Sequence, residues 1–275
     1  YYLREKNMTK ITLDFETRSA ANLKKIGAYE YSLDPTTIAT CLGYKHPDDR
    51  IAALLDFKFM QMPWKKLPME FRQMWAGWVN DQNTIFSAHN AFFEQCIYNN
   101  VLVKRFGWPP IKITKWRCTA AKAAAVAIPR NLDGAGQVMQ LTTQKSYEGH
   151  RIMMKLCKPT TAWVKWDKQL QKLKSKDYDT SDWETQEPAM FWEPETAPED
   201  FRGLYAYCKI DVLTEELLDE SLPDLTPKEQ QLWFYDQLIN SRGVAVDMDV
   251  VNKISNIMAS ESKIMGKELD ILTMG

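Results

Sequence analysis

The sequence predicts an α/β fold. Short apolar and β-branched runs bounded by turn residues recur at 10–17, 38–44 and 84–88, with a further candidate at 51–59. Longer stretches with apolar residues at helical spacing lie between and after them, at 70–80, 91–103, 115–127, 132–141, 149–157 and 201–218. Composition agrees with a globular chain. Of 275 residues 45% are hydrophobic and 26% charged, enough for one large domain or a domain plus part of another.

Lys10-Ile11-Thr12-Leu13-Asp14-Phe15-Glu16-Thr17 reads as the first strand. Residues 1–7 are set apart as an upstream extension, with Met8 a natural start. Leu23, Ile26, Tyr29 and Tyr31 are apolar anchors of the following segment, Gly27 breaks it and Asp34-Pro35 is a turn. Residues 38–44 and 51–59 then predict two more strands of an early antiparallel meander. Phe71, Met74, Trp75 and Trp78 give 70–80 one apolar helical face. The run 84–88 is short and apolar, as a buried strand is, and His89-Asn90 ends it. The helix predicted over 91–103 has Glu94 in its first turn, where an acid suits the helix dipole. Residues 115–127 are Ala-rich and predict a helix that stops at Ile128-Pro129. The stretch 159–200 differs: it is charged, rich in tryptophan and carries several prolines late on, and reads as a long loop or inserted excursion. After the helix at 201–218 come a linker at 223–227, a helix at 229–240, a turn at 242–247 and a last long helix at 249–272.

A net charge of −1 excludes a global electrostatic pull towards nucleic acid, so any such site is local or neutralised by bound metal. The five cysteines are scattered and form no Cys-x-x-Cys pair. That argues against a disulfide framework or a structural zinc site and fits a reducing cytosol. No signal peptide and no membrane-spanning run is evident.

Three segments concentrate polar groups. On the first strand, Asp14 and Glu16 point to one face, because side chains at i and i+2 share a side. Two acids on an otherwise apolar strand are costly unless compensated, and Mg²⁺ or Mn²⁺ is the natural compensation; a solvated acidic face is the plainer reading. Ser87-Ala88-His89-Asn90-Ala91-Phe92-Phe93-Glu94 is a strand-to-helix turn with a polar pair followed by an acid. In 201–218, Tyr207 and Asp211 share a helical face at i and i+4. Taken singly, Glu94 reads also as a solvated or dipole-stabilising acid, and Asp211 as a solvated acid beside a core tyrosine.

Taken together, in this order and spacing, the segments resemble the three motifs of the DEDD-type 3′→5′ exonucleases, and the tyrosine resembles the mark of the DEDDy subgroup. Asp14 to Ser19 with Leu23 to Tyr29, Ala88 to Glu94, and Tyr205 to Val212 are similar to the proofreading exonuclease domains of phage-type family A DNA polymerases. The resemblance spans roughly 8–222. Leu225-Thr226-Pro227-Lys228-Glu229, Trp233, Asp236 and Arg242-Gly243-Val244-Ala245-Val246-Asp247 resemble the entry into the polymerase domain of those enzymes.

The resemblance implies a ribonuclease H-like fold, a central mixed β-sheet flanked by helices, over 8–222, with 159–200 as an insert. It makes 223–275 a linker and the truncated start of a polymerase domain, without polymerase activity. It implies a metal-dependent exonuclease acting on single-stranded or frayed DNA 3′ ends and releasing nucleoside monophosphates. The full-length protein would carry a polymerase in cis, in the cytoplasm of a bacterium or phage-infected host. Two divalent cations, Mg²⁺ or Mn²⁺, would sit about 4 Å apart. By resemblance Asp14 would bridge both, Glu16 and Asp211 would complete one site, Glu94 would support the second through water, and Tyr207 would orient the attacking water. Thr17, Arg18, His89, Asn90 and Phe93 would contact the strand. One departure stands out: the second motif usually has Asp, and Glu94 is one methylene longer. Asp81 is the fallback acid. A non-catalytic single-stranded DNA-binding module and an RNA-trimming relative are the alternatives.

Overall fold

The structure is a computed structural model that describes residues 8–142 and 146–273. Two compact units are distinguished, one running to Phe234 and one beginning at Tyr235.

The first unit is built on β1, Thr9–Arg18. Its even and odd positions face opposite ways, and the core follows that alternation. Ile11, Leu13 and Phe15 are buried in the main apolar cluster, while Asp14 and Glu16 look to the other face. Helix α1, Leu23–Leu33, is kinked at Gly27, whose φ of 77° suits glycine because it lacks a Cβ. The sequence marked that glycine as a breaker without assigning the helix around it.

Strand β2, Ile38–Lys45, runs antiparallel to β1, and β3, Ala53–Leu55, runs antiparallel to β2. The predicted strand over 51–59 is therefore much shorter. Asp56 ends it by accepting a hydrogen bond from the Phe59 amide at 2.9 Å, which starts a helical turn at Phe57–Met60. Helix α2, Met69–Asn80, buries Trp75 and Val79. Strand β4, Thr84–Ala88, is parallel to β1. Helix α3, Phe92–Ile97, passes into a π-helical turn at Tyr98–Val103.

The predicted helix over 115–127 starts later than expected. Trp116–Cys118 forms β5, parallel to β4, and α4 occupies only Thr119–Ala125. The sheet order is β3-β2-β1-β4-β5, an antiparallel meander joined to a parallel half. Two helices follow: α5, Leu132–Val138, and α6, Tyr147–Leu156.

The excursion at 159–200 is not a plain loop. It holds α7, Thr161–Lys174, capped by the Thr160 hydroxyl, which accepts from the Trp163 amide at 3.1 Å. Trp163 donates to Glu187 at 2.9 Å and Trp166 to the Trp183 carbonyl at 3.2 Å, bonds that tie the helix to the segment after it. The helix predicted at 201–218 is longer: α8, Pro198–Ser221, begins with a proline, whose missing N–H costs nothing in a first turn.

Helix α8 covers the β1–β2 face that carries the acids. Its Phe201, Leu204 and Cys208 pack with Cys41 of β2 and with Ile152 and Leu156 of α6. Gly43, paired across the ladder with Asp14, permits the close approach. A Cβ there would stand 2.9 Å from both Cys208 Sγ and Val212 Cγ2. Lys122 of α4, almost wholly buried, ties down the far end of α8, donating to Asp219 at 2.7 Å and to Asp224 at 3.0 Å. Lys10 joins the same pair of acids.

Helix α9, Pro227–Arg242, and α10, Met248–Thr273, follow, and the division between units falls within α9. Trp233 of α9 packs against the main core of the first unit. No helix of the described residues is long and apolar enough to cross a membrane. All five cysteines are free.

Candidate metal centre

Strands β1, β4 and β5 are mutually parallel, so their C-terminal ends open on the same edge of the sheet. In open α/β sheets that edge is where ligands bind. A cleft of about 520 Å³ lies there, lined by Asp14, His89, Asn90, Arg130, Asp211 and Glu215 among others. Asp14 comes from β1, His89 and Asn90 follow β4, and Asp211 and Glu215 come from α8.

One carboxylate oxygen each of Asp14, Glu16 and Asp211 lies within 4.8 Å of the others. Glu16 and Asp211 are buried and Asp14 is half-buried. Two strand residues and a helix residue far along the chain thus converge. A β-bulge at Thr40 of β2 interrupts the ladder opposite Glu16–Thr17, a device that re-aims side chains beside sites. Cys208 Sγ meets the Asp14 carbonyl at 3.5 Å and locks α8 onto β1 at the same level.

Glu94 enters from the first turn of α3. It is buried, and its Oε2 has no hydrogen-bond partner. Burial first, and then the charge of Asp14, push its carboxyl well above the usual carboxylate range. Glu215 behaves alike. Burial raises it strongly, with Asp14, Glu94 and Asp211 adding to the effect and an N–H from His89 opposing it. Buried like charges repel, and bare carboxylate oxygens in a protein interior are costly. A divalent cation relieves both, because hard cations take carboxylate oxygens. The donor set of Asp14, Glu16 and Asp211 fits such an ion.

Tyr207 lies one helical turn before Asp211 on α8 and is buried. Its ring passes under α6 at Gly149, where a Cβ would come within 2.3 Å of Tyr207 Cδ2. Gly149 therefore sets how deeply the tyrosine seats.

The residues expected to touch a nucleic-acid strand divide into two groups. His89 and Asn90 line the cleft. The His89 ring is held on both sides: Nε2 donates to the Arg130 carbonyl at 2.7 Å, and Nδ1 meets the Thr119 hydroxyl at 2.8 Å. Asn90 has a φ of 62°, a left-handed conformation that asparagine tolerates better than most residues. Thr17, Arg18 and Phe93 have their partners inside the protein instead. The Thr17 hydroxyl meets Tyr31 Oη at 3.0 Å, and Phe93 packs against the Tyr31 ring with centroids 6.0 Å apart. Burial pushes the Tyr31 hydroxyl up to about 12, so it stays protonated in that pair. Arg18 donates to the Trp192 carbonyl at 2.6 Å and to Glu193 at 2.7 Å, between the rings of Phe57 and Phe191. It fastens the returning end of the 159–200 excursion to β1.

Asp81, the fallback acid, precedes the start of β4, at the opposite end of the strands from Asp14. It caps its own turn, accepting from the Asn83 amide and the Thr84 hydroxyl. Three polar cleft residues, Arg130, Asn131 and Glu215, were missed in the sequence. Glu215 continues the four-residue spacing of Tyr207 and Asp211, a signal open to inspection. Arg130 follows a Pro in a turn, and nothing in its neighbours marks it.

The sheet and cleft define a class of site: a carboxylate cluster suited to divalent cations at the C-terminal edge of a mixed α/β sheet. The sequence is similar to that of the DNA polymerase of Bacillus phage SP02, with 27% identity over 249 residues. The match covers 89% of this chain but 33% of that protein, so the chain spans about a third of the relative's length. No protein-family profile matches the chain.

Proposed function

We propose that the chain is a metal-dependent 3′→5′ exonuclease, the proofreading part of a DNA polymerase, which hydrolyses phosphodiester bonds at single-stranded or frayed DNA 3′ ends. The observation that carries this reading is the convergence of Asp14, Glu16 and Asp211 oxygens within 4.8 Å of one another. The similarity to a phage DNA polymerase supports the substrate class and a polymerase in cis.

Asp14, Glu16 and Asp211 would hold divalent cations, Mg²⁺ or Mn²⁺, with Glu94 in support of the second. When bound, such ions supply a nucleophile at neutral pH and charge that offsets the developing negative charge on the phosphate. Tyr207 orients the attacking water. Its hydroxyl would act as an aligner more than a base. Asn90 and Arg130, both lining the cleft, suit the phosphates of the entering strand. His89 serves mainly to brace the wall, since its ring is engaged on both sides.

The test is a 3′-labelled single-stranded DNA oligonucleotide incubated with the chain, with and without Mg²⁺ or Mn²⁺. Release of labelled mononucleotide that needs the metal and disappears in Asp14→Ala is expected. Metal-independent release, or full release by Asp14→Ala, overturns the reading. An RNA oligonucleotide of the same sequence, cleaved faster, would move the substrate class to RNA.

A further inference from the structure

Glu215 stands outside the four acids and the tyrosine on which the proposed function rests, yet it lines the same cleft as Asp14 and Asp211. It lies four residues beyond Asp211 on α8, hence one turn along the same face. It is 2% exposed and lines the cleft together with Asp14 and Asp211. One of its oxygens is taken by the His89 backbone N–H, and the other, Oε2, is buried with no hydrogen-bond partner. Glu94 Oε2 is in the same condition. A structural acid of the core is normally paired, as Asp219 is with Lys122 and Lys10.

We infer that Glu215 is a fifth carboxylate of the cation site, sharing with Glu94 the hold on the second ion or its water shell. This rests on the two-cation reading given above. Hydrated divalent ions are commonly held through water by carboxylates that do not touch the metal. A Glu in place of the shorter Asp at position 94, and an additional Glu one turn past Asp211, together supply the oxygens of such an outer shell. The competing account is that Glu215 is a neutral core acid whose sole partner is the His89 amide. Gln is isosteric with a neutral carboxyl and accepts the same N–H, so it replaces a neutral acid without loss but cannot replace a carboxylate facing a cation.

Mn²⁺ binding to the chain, without DNA, separates these accounts by calorimetric titration and by counting bound ions with electron paramagnetic resonance. The unsubstituted chain is expected to bind two Mn²⁺, and Asp14→Asn to lose both. Glu215→Gln is expected to melt within about 2 °C of the unsubstituted chain in EDTA. It should keep the tighter ion and weaken the other about 10-fold or more. A Glu215→Gln titration that matches the unsubstituted chain overturns the inference and leaves the two-cation reading standing, whatever its melting temperature. An unsubstituted chain that binds no Mn²⁺ overturns both. Should Glu215→Gln not fold, Glu215→Asp decides on the same terms: a weakened second ion supports the inference, and an unaltered titration overturns it.

Discussion

Asp14 and Asp211 reach one point from a strand and from a helix, and neither has a neighbour that replaces it. Asp14→Asn or Asp211→Asn, close in shape but uncharged, is therefore expected to lower nuclease turnover about 100-fold or more, with the fold intact by circular dichroism. Tyr207→Phe keeps the ring against Gly149 and removes only the hydroxyl, so a smaller loss, about 10- to 100-fold in kcat with little change in KM, is expected. Glu94 and Glu215 carry a pH prediction. Both are held above the ordinary carboxylate range by burial and then by neighbouring acids. An acid raised in the folded state favours folding while it stays protonated. That contribution is full below the unfolded value near 4.5 and is lost as pH rises through the raised ones. In EDTA the melting temperature should accordingly fall between mild acid and pH 8, and added Mn²⁺ should restore most at the alkaline end. A flat calorimetric profile across that range would contradict this. At this scale the motif residues were legible because i, i+2 and i, i+4 spacing fixes a shared face whatever the surroundings. The internal partners of Thr17, Arg18 and Phe93 were not, because proximity in sequence to Asp14 and Glu94 does not say which way a side chain turns. Arg18 turns towards Glu193, a partner far along the chain that no local pattern announces.

Two glycines decide how the elements meet around the cleft. A methyl at Gly149 would press on the Tyr207 ring at 2.3 Å, and one at Gly43 on Cys208 and Val212 at 2.9 Å. In a helix interior Gly→Ala ordinarily stabilises by about 0.5–1 kcal/mol. Overpacking of about 1–3 kcal/mol is expected to outweigh that gain at Gly149. Gly149→Ala should lower kcat much as Tyr207→Phe does while leaving Mn²⁺ affinity nearly unchanged. Gly43→Ala, which would lift α8 off β1, should weaken Mn²⁺ binding as well. Titration calorimetry beside single-turnover kinetics distinguishes the two. Most elements were legible from periodicity, and the exceptions have physical causes. The strand Trp116–Cys118 is three residues long and runs straight into an Ala-rich helix, so helical composition masked it. Its strand character comes from pairing with β4, a tertiary effect. Helix α7 was masked by its own charge: it buries Leu170 and leans on tryptophans of its own excursion, too narrow an apolar stripe to read as a core-facing helix.

Across the first unit, the acid-bearing face of the sheet depends on α8 staying docked at both ends. Lys122 and Asp219, each about 4% exposed, form the buried anchor at the far end. Removing one partner strands the other charge, so Lys122→Ala is expected to cost about 3–5 kcal/mol in chemical denaturation. Lys122→Met, which keeps the stem, still leaves Asp219 with only Lys10 and should cost nearly as much. The docking of α8 also governs the order in which the acid cluster is assembled during synthesis. Cys208, which seats against Asp14, follows it by 194 residues. A nascent chain leaving the ribosome therefore displays β1 and its two acids long before Asp211 is translated. Until then the carboxylates lack the helix that gathers them, so unfinished or stalled polypeptides would not yet hold the three-acid cluster.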